Sequence, residues 1–194
     1  MGGSVGHWKD DFVACPTAPQ VVTFFHQEGD TQYLLTERVP GRSASSGFPE
    51  EEKPELTRLL AMGLRQIHAL SPAGCPGNCR AEMLISATRT RLHSGGFLEE
   101  DAQELQDKLL QLDAASLPTE DLVFTHGDYC LPNIMVDGNR LAGSIDWGYA
   151  GVGDPYRDFV AAEYSVRRNL EEEYVPQFFK EYGVEPDQEK MAVH

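Results

Sequence analysis

A chain of 194 residues, 41% hydrophobic with nine Phe, seven Tyr and two Trp, supports one packed domain or a large lobe and a small one. No stretch reaches the roughly 18 uninterrupted apolar residues of a membrane helix. A net charge of −15 disfavours nucleic acid, whose phosphates it repels, and suits a cationic partner or simple solubility. The opening MGGSVGHWKDDF lacks the basic start and apolar run of a secretion signal, so the expectation is a cytoplasmic protein bound to neither membrane nor nucleic acid. Cys75 and Cys79 stand in CPGNC without the further Cys/His pair that a structural zinc site needs, and they read as free thiols.

VVTFFHQEGDTQYLLTERVPG reads as a β-hairpin, with Val21 to Phe25 outgoing, EGDT as the turn and Tyr33 to Thr36 returning. The stretch GRSASSGFPEEEKPE then reads as a loose connector. From Pro54 the period changes. Leu56, Leu59, Leu60, Leu64, Ile67 and Leu70 form the apolar stripe of an amphipathic helix. A second helix is predicted over Arg80 to His93, closed by Gly95-Gly96. A third covers Glu100 to Leu112.

LVF, IMV and LAGSI follow as short strands, the last two joined by a DGN turn in which Gly and Asn both tolerate positive φ. Asp154-Pro155 starts a helix that turns Phe159, Val160 and Tyr164 inward. Another runs from Leu170 to Tyr182 with Gly183 as its cap, and EPDQEKMAV opens one more.

The segment FTHGDYCLPNIMVDGNRLAGSIDWG, residues 124–148, carries the chemistry. Phosphoryl transfer needs a base or orienter for the attacking hydroxyl and Mg²⁺ between the phosphates. That ion takes oxygen ligands, usually one or two carboxylates with phosphate and water. Kinase catalytic loops supply these through His-x-Asp-x-x-x-x-Asn and, one hairpin later, Asp-x-Gly. Here His126-Gly127-Asp128 precedes Asn133 at that interval, and Asp146-Trp147-Gly148 follows one hairpin on. Asp128 and Asn133 bracket one loop, and the hairpin between them and Asp146 folds the second carboxylate back toward it. Gly148 is expected to let the chain turn sharply after Asp146. His126 reads as a hydrogen-bonding support rather than a catalyst.

HGDYCLPNIMV and GSIDWGYAGVGDPYRDFVAAEYSV resemble the aminoglycoside phosphotransferases, specifically the 3′-phosphotransferase type of the protein-kinase-like fold. YLLTERVPGRSAS and FFKEYGVEPDQEK are similar to the family's inter-lobe hinge and late C-terminal segment. The resemblance implies an α+β, kinase-like chain: a mostly helical C-lobe over 40–194 and a β-hairpin remnant of the N-lobe over 1–39. It implies ATP and Mg²⁺, with Asp128 as catalytic base and Asn133 and Asp146 as metal ligands. Glu37 and Val39 would meet adenine through their backbone, and Asp158 would support the loop. Glu99, Glu100 and Asp101 fall where the family carries an acidic loop for a polycationic aminosugar, although acids also favour any helix N-terminus.

The pattern departs from the family in places. MGGSVG lacks a preceding strand and Lys9 is the only lysine before the hinge, so the glycine-rich phosphate loop and its lysine are not found. Tyr149 stands where the family often has Arg, and Tyr164-Ser165 where Arg-Asp is common. The expectation is therefore a chain shortened at both ends, with sheet edges left bare on its hairpin. Two other readings stay open: an inactive, ligand-binding pseudokinase, and a kinase of another small alcohol such as choline or homoserine.

Overall fold

The computed structural model describes residues 17–26, 32–96, 98–114 and 117–194. The expected turn EGDT (28–31), MGGSVG and Lys9 lie outside those residues. Strands β1 (Val21–His26) and β2 (Gln32–Thr36) pair antiparallel, Phe25 opposite Tyr33 and Val21 opposite Thr36. Their β-branched and aromatic residues favour the pleated, half-buried surface. Val22, Leu34 and Leu35 of this hairpin are exposed.

The stretch read as a loose connector is partly ordered by pairing. Arg42–Ser43 (β3) lies antiparallel to the strand at 134–137, with Ser43 opposite Met135, and Ala44 is fully buried. A two-residue strand carries no readable alternation, so its sequence resembles a loop. A 3₁₀ turn, Glu50–Glu52, leads into α1 (Lys53–His68), which has Pro54 in its first turn, where no N–H partner is lost. Leu56, Leu60, Leu64 and Ile67 are buried on one face of α1. They pack with Phe178 and Phe179 of α5 (Val175–Tyr182) in the central apolar cluster. Each such side chain contributes about 1.5–3 kcal/mol by leaving water.

Helix α2 spans Ala81–His93 and ends before Gly95, whose φ of +70° a side chain would resist. Helix α3 spans Glu99–Ala114. Strand β4 (Val123–Thr125) pairs antiparallel with β7 (Gly151–Gly153), and β5 (Ile134–Asp137) with β6 (Arg140–Ser144), giving a second sheet ordered β3-β5-β6. In the β5–β6 turn Gly138 alone has positive φ, +59°, whereas Asn139 does not, the pattern of a II′ rather than a I′ turn.

Helix α4 (Tyr156–Asn169) follows Asp154-Pro155, and the Asp154 carboxylate accepts the Tyr156 N–H at 3.0 Å. Its inward face is Tyr156, Phe159, Ala162 and Val166. Tyr164, expected inward, is 61% exposed because it falls off that three- and four-residue stripe. Val160 is only partly buried. The helix predicted from Leu170 begins five residues later: Glu171 sits at φ 99° and ψ 159°, a 3₁₀ turn follows over Glu172–Tyr174, and only then does α5 start. Gly183 closes α5 at φ +92°. Helix α6 (Gln188–Val193) is capped by Asp187, which accepts the Glu189 and Lys190 N–H groups. Among the described residues no helix is long and apolar enough to cross a membrane.

Candidate active site

Thr125 ends β4 fully buried, its hydroxyl donating to the Gly151 carbonyl across the β4–β7 pair at 2.9 Å. The chain then leaves the sheet at His126-Gly127-Asp128. Gly127 is required here: its φ is +86°, and a Cβ would stand 2.2 Å from the Tyr149 carbonyl oxygen. The freed N–H groups of His126 and Gly127 both end on the wholly buried Asp158 carboxylate, each at 2.7 Å. Asp158 sits in the first turn of α4, so that helix grips the loop directly.

His126 is itself fully buried. Its Nε2 lies 3.1 Å from the Ile145 carbonyl and its Nδ1 accepts the Asp128 N–H at 3.3 Å, a pattern that fixes the Nε2–H tautomer. Burial holds its pKa below the usual imidazole value, against the opposing pull of Asp158, Asp128 and Asp146. The Trp147 ring lies 4.3 Å from the imidazole centroid, and its indole N–H donates to the Ser144 carbonyl at 2.9 Å. One neutral histidine thus ties together the two segments carrying Asp128 and Asp146.

Asp128 and Asn133 are joined across their loop. Asn133 Nδ2 donates to the Asp128 carbonyl at 3.0 Å and to its Oδ2 at 2.8 Å. This spends the amide nitrogen and leaves Asn133 Oδ1 without a hydrogen bond among the described residues. Between them runs a 3₁₀ turn, Leu131–Asn133, held by Ser165 Oγ accepting the Leu131 N–H at 2.9 Å. Ser43 Oγ donates to the Leu131 and Pro132 carbonyls from the other side, at 3.2 and 3.1 Å. Burial and the neighbouring Asp128 charge push the Cys130 thiol up to about 11, so it is a protonated donor toward Asp128 and not a thiolate.

Asp146 is brought to the same loop by β6. Ser144 pairs with Ile134, and the Ile145 N–H donates to the Asn133 carbonyl at 2.8 Å, one residue before Asp146. The sharp turn belongs to Asp146 and not to Gly148. Asp146 has φ 62° and ψ 60°, whereas Gly148 has no positive φ, and a Cβ there would meet only Asp146 Oδ1 at 3.7 Å. Left-handed backbone costs a non-glycine residue about 1–2 kcal/mol, and Asp tolerates it better than most. The Asp146 carboxylate is exposed and has no hydrogen-bond partner among the described residues.

An oxygen-only set is therefore carried on two neighbouring turns: the Asn133 amide oxygen, with the Asp128 carboxylate joined to the same amide, and the exposed Asp146 carboxylate. Its chemistry suits Mg²⁺, which takes few protein oxygens and completes its shell with phosphate and water. Among the described residues no group of three or more His, Cys, Asp or Glu gathers into an all-protein cage.

The remaining expected residues lie apart from this centre. Glu37 is exposed just after β2 and spends its N–H on the Gln20 carbonyl at 2.8 Å, and Val39 is half-buried. A Cβ on Gly143 would lie 2.9 Å from Val39 Cγ1, so Val39 packs on β6, which leads to Asp146. Glu99, Glu100 and Asp101 form the first turn of α3, and their side chains lie outside the described residues.

Sequence reasoning missed the support beneath Asp158. His68 Nε2 lies 3.1 Å from Asp158 Oδ2, and its Nδ1 lies 2.9 Å from the Tyr182 hydroxyl. A signal was present, since His68 stands four residues after Leu64 on the apolar face of α1. Tyr129, also fully buried, donates its hydroxyl to the Leu60 carbonyl at 2.9 Å and so anchors the loop to the middle of α1.

The sequence profile of the Phosphotransferase enzyme family matches residues 9–194. The chain is 34% identical to an aminoglycoside 3′-phosphotransferase of Niallia circulans, over 96% of this chain and 72% of that protein. It is similar to the crystal structure of a type VIII aminoglycoside-3′-phosphotransferase (TM-score 0.80, 27% identity, 94% of this chain and 73% of that one). In fold it is also similar to an aminoglycoside phosphotransferase of Streptomyces rimosus solved with ADP and streptomycin (TM-score 0.71, 23% identity, 94% of this chain and 75% of that one). The chain belongs to the phosphotransferase enzyme family and has its kinase-like α+β fold.

Proposed function

We propose that this member of the phosphotransferase enzyme family moves the γ-phosphate of ATP to a hydroxyl of an aminoglycoside, as a cytoplasmic enzyme of the antibiotic-resistance type. Residues 40–194 form the lobe that carries the chemistry, and residues 1–39 belong to the nucleotide-side lobe. The clamp from Asn133 Nδ2 to Asp128 Oδ2, 2.8 Å, carries the reading. It fixes the Asp128 carboxylate through one oxygen and spends the amide nitrogen, so that the Asn133 amide oxygen keeps its lone pairs for a cation.

Asp128 acts as base and orienter. The acceptor O–H points its proton at the Asp128 carboxylate while its own oxygen bonds to the γ-phosphorus. The bridging P–O bond to the β-phosphate breaks, the proton passes to Asp128, and ADP leaves. Asn133 and Asp146 would hold Mg²⁺, which when bound neutralises charge on the phosphates. Glu37 and Val39 offer backbone groups to adenine. Glu99, Glu100 and Asp101, with the net charge of −15, favour a polycationic acceptor. His126 and Asp158 hold Asp128 in register through the loop backbone. Gly148 leaves the approach to Asp146 clear.

Asp128→Asn tests the assignment. Phosphate transfer to an aminoglycoside should fall at least about 100-fold, the low end of what a general base supplies, with the urea unfolding midpoint preserved. Wild-type turnover in that variant removes Asp128 from the mechanism.

A further inference from the structure

Trp147–Tyr149 form a single 3₁₀ turn directly after Asp146. Trp147 faces inward, stacked near Phe124 and His126. Tyr149, two positions on, is 63% exposed. The backbone beneath this exposed aromatic is held by three contacts. The Tyr149 carbonyl accepts from Arg157 Nη1 at 2.9 Å and from the Cys79 thiol at 3.5 Å, and it presses on Gly127 so closely that no Cβ fits between them. Gly127 is the residue before Asp128. The ring therefore stands on a rigid mount beside the catalytic loop, and its hydroxyl has no hydrogen-bond partner among the described residues.

Asp128 and Asp146 lie on the two turns that flank this mount. Tyr149 follows Asp146 by three residues and its carbonyl abuts the residue before Asp128, so an ammonium group drawn toward those carboxylates comes into the neighbourhood of a ring whose quadrupole attracts cations. A rigid aromatic also loses little side-chain entropy when a sugar ring settles on it. Resting on the function proposed above, we infer that Tyr149 is an aromatic platform for the acceptor, its ring face against an ammonium-bearing sugar of the aminoglycoside. Its contribution is selectivity for cationic acceptors over neutral ones of the same shape.

The test is steady-state kinetics at saturating ATP with wild type, Tyr149→Leu and Tyr149→Phe. Each is assayed on an aminoglycoside and on the same compound with its amino groups acetylated. Leu keeps apolar bulk and the backbone contacts but removes the π face, and it should raise KM for the cationic acceptor about 3- to 30-fold. The effect should fall on KM rather than kcat, and Phe should rescue it to within about threefold of wild type. On the acetylated acceptor the Leu effect should shrink below about twofold, since the ring then faces no charge. An unaltered KM for Tyr149→Leu on the cationic acceptor overturns the platform, as does an equal rise on both acceptors. Wild-type protein that binds Mg-ATP but phosphorylates no aminoglycoside overturns the parent reading, and the platform with it.

Discussion

Removing the Asp158 carboxylate is the severest perturbation that spares every group placed at the reacting phosphate. Asp158 is 0% exposed and accepts from the His126 and Gly127 N–H groups at 2.7 Å, with His68 Nε2 at 3.1 Å. Hydrogen bonds to a charged acceptor are worth about 1.5–3 kcal/mol each, and a buried donor left without a partner costs about 1–3 kcal/mol. In Asp158→Ala two backbone donors and one imidazole lose their acceptor together, and a cavity large enough for water recovers part of the loss. The net cost should be about 3–5 kcal/mol, within the sum for two orphaned backbone donors and one imidazole donor at about 1–3 kcal/mol each. That is a large share of the roughly 5–15 kcal/mol that holds a domain together. Asp158→Asn keeps the shape but turns an NH₂ toward one of the donors, so it should recover less than half of the loss. Urea unfolding followed by tryptophan fluorescence measures this, because Trp147 packs on His126 within the affected loop. A loss under about 1 kcal/mol for the Ala variant, well below the cost of even one orphaned donor pair, would refute the view that α4 holds the catalytic loop through this carboxylate.

Other outcomes follow from the same geometry. Gly127→Ala should cost about 2 kcal/mol or more, since positive φ and a backbone clash at 2.2 Å act together, and the check is its urea midpoint beside that of the solvent-facing Gly138→Ala. Glu171→Gly should be neutral or stabilising by up to about 1 kcal/mol: relief of left-handed strain, about 1–3 kcal/mol, outweighs one exposed ion pair to Lys53 and the entropy of a new glycine. A midpoint lowered in that variant would put the ion pair above the strain. Because burial lowers the His126 pKa, the unfolded chain binds the proton first as pH falls below its ordinary value near 6.5. This residue's contribution is thus complete above that value and is lost below it, by up to about 1.4 kcal/mol per pH unit. Chemical denaturation from pH 7.5 to 5 should show that slope, and His126→Asn should flatten it.

The sequence was most legible where local pattern and tertiary demand agree. The apolar stripe of α1 was read from Leu56 to Leu70 and the helix runs Lys53–His68. The strands around Asp128 were visible from IMV and LAGSI because a turn glycine separates them. It failed where another segment decides the outcome. Arg42–Ser43 becomes a strand only because Met135 and Val136 lie opposite, and GVG at 151–153 only because β4 does. Tyr164 looked like core by composition, yet one helical position off the stripe puts it in solvent. The turn assigned to Gly148 is made by Asp146, because a short polar side chain tolerates left-handed backbone and glycine is not required. His68, Asp158 and Tyr182 meet across 90 and 114 residues of chain, a distance that no local period can report.

Mn²⁺ bound in the presence of ADP, followed by electron paramagnetic resonance, tests most directly whether the two turns share one cation. The wild type should bind Mn²⁺ tightly with ADP. Asn133→Ala and Asp146→Ala should each weaken it at least about tenfold, as loss of a metal ligand does, while Asp128→Asn should bind nearly as well as wild type yet transfer no phosphate. Undiminished Mn²⁺ binding in both Asn133→Ala and Asp146→Ala would contradict the account.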